Sequence, residues 1–233
     1  MMTETEQKQT MDNTEKGITI ALIDDAVDET FRRQCGMDYI DFTGEPETHQ
    51  YGHASVCARL ILNRCPAAKI INLRVLKDGW TANDTGAFRK ALQYCLENDV
   101  AVISMSIGTT DLNEQKGLVP LLKALHSQGK IMIAAIQNED KVSLPASLPY
   151  VTGVKADHAC LLEEGTFVKC KANPPGIDIV MSIMGASFCP GIFQLQQLCG
   201  GIIYGIYRKK NERRSWNMRE GNRLSSEGTV PLI

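Results

Sequence analysis

Four short apolar runs set the tightest limit on how this chain folds. Residues 18–23 (ITIALI), 69–75 (KIINLRV), 100–105 (VAVISM) and 130–135 (KIMIAA) are largely apolar and rich in β-branched side chains. A strand apolar on both sides is covered on both sides, as in a parallel sheet held between helices. The intervening stretches carry a helical period. Phe88, Ala91, Leu92, Cys95 and Leu96 keep the i, i+3, i+4, i+7, i+8 spacing of an amphipathic helix, with Asn83 or Asp84 placed to cap it. Leu118, Leu121, Leu122 and Leu125 repeat that spacing, and Gly129 stands where such a helix stops. The alternation predicts an α/β fold: a three-layer, doubly wound, mostly parallel sheet.

At 233 residues the chain is long enough for one sizeable core. A net charge of −2 argues against a generally basic nucleic-acid binder. The eight cysteines, at 35, 57, 65, 95, 160, 170, 189 and 199, include no Cys-x-x-Cys pair. That spacing disfavours a zinc ribbon or redox dithiol and favours reduced, structural thiols. Residues 1–16 are polar, without an apolar run of signal-peptide length, and are expected to be disordered. A domain is expected over 17–207. Within it, residues 190–207 are interrupted by Gln194, Gln196 and Gln197, which favours a core helix over a membrane span. Seven Lys or Arg between Arg208 and Arg223 mark 208–233 as a solvated, basic tail. Together these features predict a cytoplasmic protein.

In doubly wound sheets the working groups lie beyond the carboxyl ends of the strands. Asp24, Ser106 and Asn138 come directly after three of the four runs or close behind them. Asp24 opens the segment Asp24-Asp25-Ala26-Val27-Asp28. A phosphate-binding turn needs glycines and no carboxylates there, so a nucleotide-binding α/β domain fits poorly. His53 lies in Gly52-His53-Ala54-Ser55, at the start of a stretch to which Cys57, Leu60 and Ile61 give an apolar helical face. Taken singly, Asp24 also suits a helix cap, His53 a core histidine, and Asn138 a plain turn residue.

In combination these segments resemble those of the subtilisin-like serine peptidases, the subtilases. The segment at Asp24 resembles the family's aspartate motif, and Gly52-His53-Ala54-Ser55 its His-Gly-Thr motif, with Ala54 and Ser55 in place of Gly and Thr. Ser104-Met105-Ser106-Ile107-Gly108 is similar to its Asn-Met-Ser-Leu-Gly segment. Ala134-Ala135-Ile136-Gln137-Asn138-Glu139 resembles its oxyanion motif, with Gln137 replacing Gly. Residues 144–151 (LPASLPYV) resemble a structural stretch of the family, and Gly185-Ala186-Ser187 its Gly-Thr-Ser nucleophile. The order Asp, His, Ser is that of subtilisin.

The resemblance implies Ser187 as nucleophile, His53 as general base, Asp24 as its orienting acid and Asn138 as an oxyanion donor. It also implies a peptide-binding wall at Ser106, Ile107 and Gly108. It calls for no cofactor and no metal, and its partner is a peptide or protein substrate, with a maturation role for a small peptide as one form. The likeness covers about residues 17–188. Beyond Phe188 it lapses: Cys189-Pro190 puts proline three residues after Ser187 where the family has it at four. A non-catalytic relative that binds extended peptides or serves as a scaffold therefore stays open beside the peptidase.

Overall fold

The structure, a computed structural model, describes residues 17–47, 52–77, 85–136, 141–157, 159–163, 166–170, 176–181 and 230–231. Its frame is one sheet. Strand β1 (Thr19–Asp24) lies between β3 (Lys69–Arg74) and β4 (Val102–Met105), parallel to both. On one side β2 (Asp38–Asp41) adds to β3, also in parallel. On the other, β5 (Ile131–Ala135), β6 (Val151–Ala156) and β8 (Ile179–Met181) continue the parallel array. An antiparallel margin completes the sheet, formed by β7 (Thr166–Lys169) and the short β9 (Val230–Pro231). The order is β2-β3-β1-β4-β5-β6-β8-β7-β9. From β1 the chain winds first to one side and then to the other, so Asp24 ends the strand at which the winding reverses. That is where open α/β sheets hold their ligands.

Alternation along each strand divides the core in two. Ala21, Ile23, Ile71 and Leu73 face helices α3 (Thr85–Glu97) and α4 (Gln115–Ser127), packing on Phe88, Ala91, Leu92, Leu118 and Leu122. Ile20, Leu22 and Ile70 face the opposite side, against α1 (Glu29–Cys35) and α2 (His53–Arg64), where Phe31, Cys57, Ala58 and Ile61 are buried. The result is the expected helix–sheet–helix sandwich.

The four apolar runs are strands, each within two residues of its expected ends. Both amphipathic patterns are helices. Gly129 lies just past the end of α4 at φ +74°, the left-handed geometry that glycine takes without strain. The proposed caps Asn83 and Asp84 lie outside the described residues. Among those described, no helix is long and apolar enough to cross a membrane; residues 190–207 lie outside them.

Candidate active site

Asp24 is the last residue of β1, on the face that carries Ile20 and Leu22, and therefore points toward α2. It is 1% exposed. Its Oδ1 accepts the Asp25 N–H at 2.8 Å, and its Oδ2 lies 2.7 Å from Nδ1 of His53, the first residue of α2. Two residues 29 positions apart thus meet as a buried carboxylate–imidazole pair.

The turn after β1 holds this pair in place. Gly52, the residue before α2, has extended backbone and no side chain with which to cap the helix. Asp25 supplies the cap from elsewhere: its Oδ2 accepts the His53 N–H at 2.9 Å and its Oδ1 the Ala54 N–H at 2.7 Å. A carboxylate at a helix N-terminus satisfies orphan donors and complements the helix dipole. Ser55 Oγ accepts the Asp28 N–H at 2.8 Å, and Asp28 in turn caps α1 by accepting the Phe31 N–H at 2.9 Å. From β3, the fully buried Asn72 accepts the Val27 N–H at 2.9 Å and donates to the Asp25 carbonyl at 3.0 Å.

Arg74, two residues along β3 from Asn72 and on the same face, is 1% exposed. It donates to Asp41 Oδ2 at 3.1 Å and to the carbonyls of Glu45 at 2.6 Å and Pro46 at 3.3 Å. It thereby ties down the segment that leads back to His53. The motifs name none of Asp25, Asn72 and Arg74 as a site residue. The readable signal for two of them is a pair of polar residues at alternate positions inside the apolar run 69–75, both on one face of a buried strand.

Electrostatics derive from this burial. Burial by itself would lower the His53 pKa, but the Asp24 carboxylate, through its charge and its hydrogen bond, outweighs it, and the net direction is upward. Burial, and next the charge of Asp24, push Asp25 up to about 6, against the pull of the Ala54 and His53 N–H groups.

Beside the imidazole lies Cys57, one turn along α2. Its Sγ is 3.4 Å from Asp24 Oδ2 and 3.4 Å from His53 Nδ1, and 3.9 Å from Ser106 Oγ. Asp24, His53 and Cys57 each offer a ligand atom within 4.8 Å of the others, close enough to share a metal ion.

Ser106, Ile107 and Gly108 continue from β4 past this pair. Thr109 next exchanges two backbone hydrogen bonds with Leu144, at 2.9 and 2.8 Å. Ile107 and Gly108 line a small apolar recess with Val75, Leu76, Phe88 and Leu144. The structure therefore brings together Asp24, His53 and the 106–108 segment. Asn138 and Ser187 lie outside the described residues.

No family model and no curated protein sequence matches the chain. Solved structures do. A lanthipeptide protease superposes with a TM-score of 0.61 at 14% identity, covering 90% of this chain and 78% of that one. The fold is that of the subtilisin-like proteases. The PatG macrocyclase in complex with peptide gives a TM-score of 0.56 at 12% identity, over 84% of this chain and 77% of that one. The prenylagaramide maturation protease PagA gives 0.51 at 22% identity, over 61% of this chain, which spans 55% of its length. At such identities the likeness concerns the subtilisin-like fold alone.

Proposed function

We propose that this chain is a serine endopeptidase that cleaves peptide bonds through Asp24, His53 and Ser187. The observation that carries the reading is the buried Asp24–His53 pair, 2.7 Å apart at the tip of the central strand. An imidazole that donates Nδ1–H to a carboxylate keeps its Nε2 lone pair for a hydroxyl. In the proposed reaction Nε2 takes the Ser187 proton as Oγ attacks the scissile carbonyl. The imidazolium, stabilised by Asp24, returns that proton to the leaving amine. Water then repeats the sequence in reverse roles and frees the acyl group. Asn138 and the Ser187 N–H are assigned to the oxyanion, where preorganised donors contribute most to rate.

The substrate is proposed to lie extended along Ser106, Ile107 and Gly108, with an apolar side chain in the recess beside Phe88 and Leu144. Peptide maturation in the cytoplasm is the role proposed for it, in keeping with a lanthipeptide protease and a maturation protease among the similar structures. Fluorophosphonate labelling of the full chain tests the reading. A Ser187 adduct in wild type, absent in Ser187→Ala and in His53→Ala, is the expected result. Folded wild type without an adduct would point instead to the peptide-binding relative favoured by the altered segment after Ser187.

A further inference from the structure

Cys57 takes no part in the proton transfers proposed above, yet its thiol touches both members of the pair that carries them. Core packing alone does not require a sulfur equidistant, at 3.4 Å, from a carboxylate oxygen and an imidazole nitrogen. We propose that Asp24, His53 and Cys57 form a binding site for a divalent cation of the zinc class, and that its occupancy switches the peptidase off. The switching half rests on the peptidase reading; the binding half does not.

The donor set is one carboxylate, one imidazole and one thiol, the three side-chain types that zinc accepts. Zinc bonds of about 2.0 Å to N or O and 2.3 Å to S place tetrahedral ligand atoms roughly 3.3–3.6 Å apart. Two of the three separations here, both 3.4 Å, already fall in that range. The third, 2.7 Å between His53 Nδ1 and Asp24 Oδ2, opens by about 0.6 Å to reach it. Charge favours the same outcome. A carboxylate and a thiolate cancel a divalent cation, so the buried cluster becomes neutral, and neutrality is what a low-dielectric interior demands. Ser106 Oγ, 3.9 Å from Cys57 Sγ, borders the fourth position.

The proton balance closes without a further reactant. The cation binds, the Cys57 thiol releases one proton to solvent, and the Nδ1 proton of His53 passes to Nε2. The metal thus holds His53 in the tautomer whose Nε2 carries hydrogen and accepts nothing. The base is lost.

Cobalt and zinc titrations of chelator-treated full-length protein test this. One equivalent of Co2+ should give a sulfur-to-cobalt charge-transfer band in the near ultraviolet, bleached by Zn2+. Cys57→Ser, or Cys57→Ala should the serine variant not fold, should lose the band and bind zinc about 10-fold or more weakly, while Cys95→Ser keeps it. Fluorophosphonate labelling of wild type should fall about 10-fold or more with saturating Zn2+ and recover with chelator, and in Cys57→Ser zinc should leave it unchanged. A band that survives in both Cys57 variants, or never forms, overturns the site. Unchanged wild-type labelling at saturating zinc overturns the switch. Wild type that fails to label even without metal defeats the peptidase reading and the switch with it, and the cobalt band still decides the site.

Discussion

The carboxylate of Asp25 holds the main-chain N–H of His53 at 2.9 Å, so the residue after the buried acid fixes the backbone of the buried base. Neighbours in sequence divide the work: Asp24 takes the imidazole, and Asp25 takes the start of the helix that carries it.

This arrangement makes stability depend on pH through Asp25. Its pKa rises from 3.8 to about 6 on folding, so between those values the folded chain binds more protons than the unfolded one. This contribution is therefore complete below the unfolded pKa and is lost as pH rises through 6. The loss is on the order of 2–3 kcal/mol. Urea unfolding at pH 4 and pH 7 should show wild type losing about that much more than Asp25→Asn. Equal pH dependence in the two proteins would remove Asp25 as the source.

Asn72 should matter out of proportion to its distance from any substrate. Asn72→Ala strips the Val27 N–H and the Asp25 carbonyl of their buried partner, which should cost about 1–3 kcal/mol. Because the same turn orients Asp24 and Asp25, fluorophosphonate labelling should also slow. A variant as stable and as reactive as wild type would contradict the bracing role.

Gly52 is required for space rather than for backbone freedom. A Cβ there would sit 2.5 Å from Asp25 Oδ2 and 2.8 Å from the Ala26 carbonyl oxygen. Gly52→Ala should therefore displace the cap, and with it His53, lowering the labelling rate about 100-fold. Circular dichroism should show the sheet and helices retained.

The recess beside Ile107 predicts a preference. Leu76, half-buried at its rim, can be changed without opening the core. Leu76→Lys should raise KM for peptides that place an apolar side chain there by about 10-fold, with kcat little changed. A matching loss of kcat would instead place the recess in the chemical step.

Much of this is legible in the sequence because it depends on local pattern. A run such as 100–105 declares a strand buried on both faces, and Phe88 to Leu96 declares a helix with one apolar side. The encounter of Asp24 with His53 is legible through the resemblance of two short motifs. The strands β2, β6, β7 and β8 have no such signal. Asp38–Asp41 is short and polar because it lies on the sheet's edge, so no apolar run announces it. The braces are hidden for another reason. Asn72 and Arg74 act through partners 28 to 50 positions away, and no local period records such a partner. Asp25 is masked by its neighbour, since the motif accounts for Asp24 alone and the cap that Asp25 gives the His53 helix spans 28 positions. The role proposed for Ser187 is the one that the labelling experiment decides.

Strand β1 pairs on one side with residues 69–74 and on the other with residues 102–105, so the strands flanking the tip that presents Asp24 lie some 50 to 80 positions further on. Parallel pairings of this kind close long loops before any contact rewards them. A chain holding Asp24 and His53 but lacking residues 69–74 keeps the Asp25 cap on His53 but loses the bracing that Asn72 gives the turn after β1 and that Arg74 gives Asp41, Glu45 and Pro46. The full bracing of the Asp24–His53 pair therefore waits on chain laid down well after both residues, once those long loops have closed.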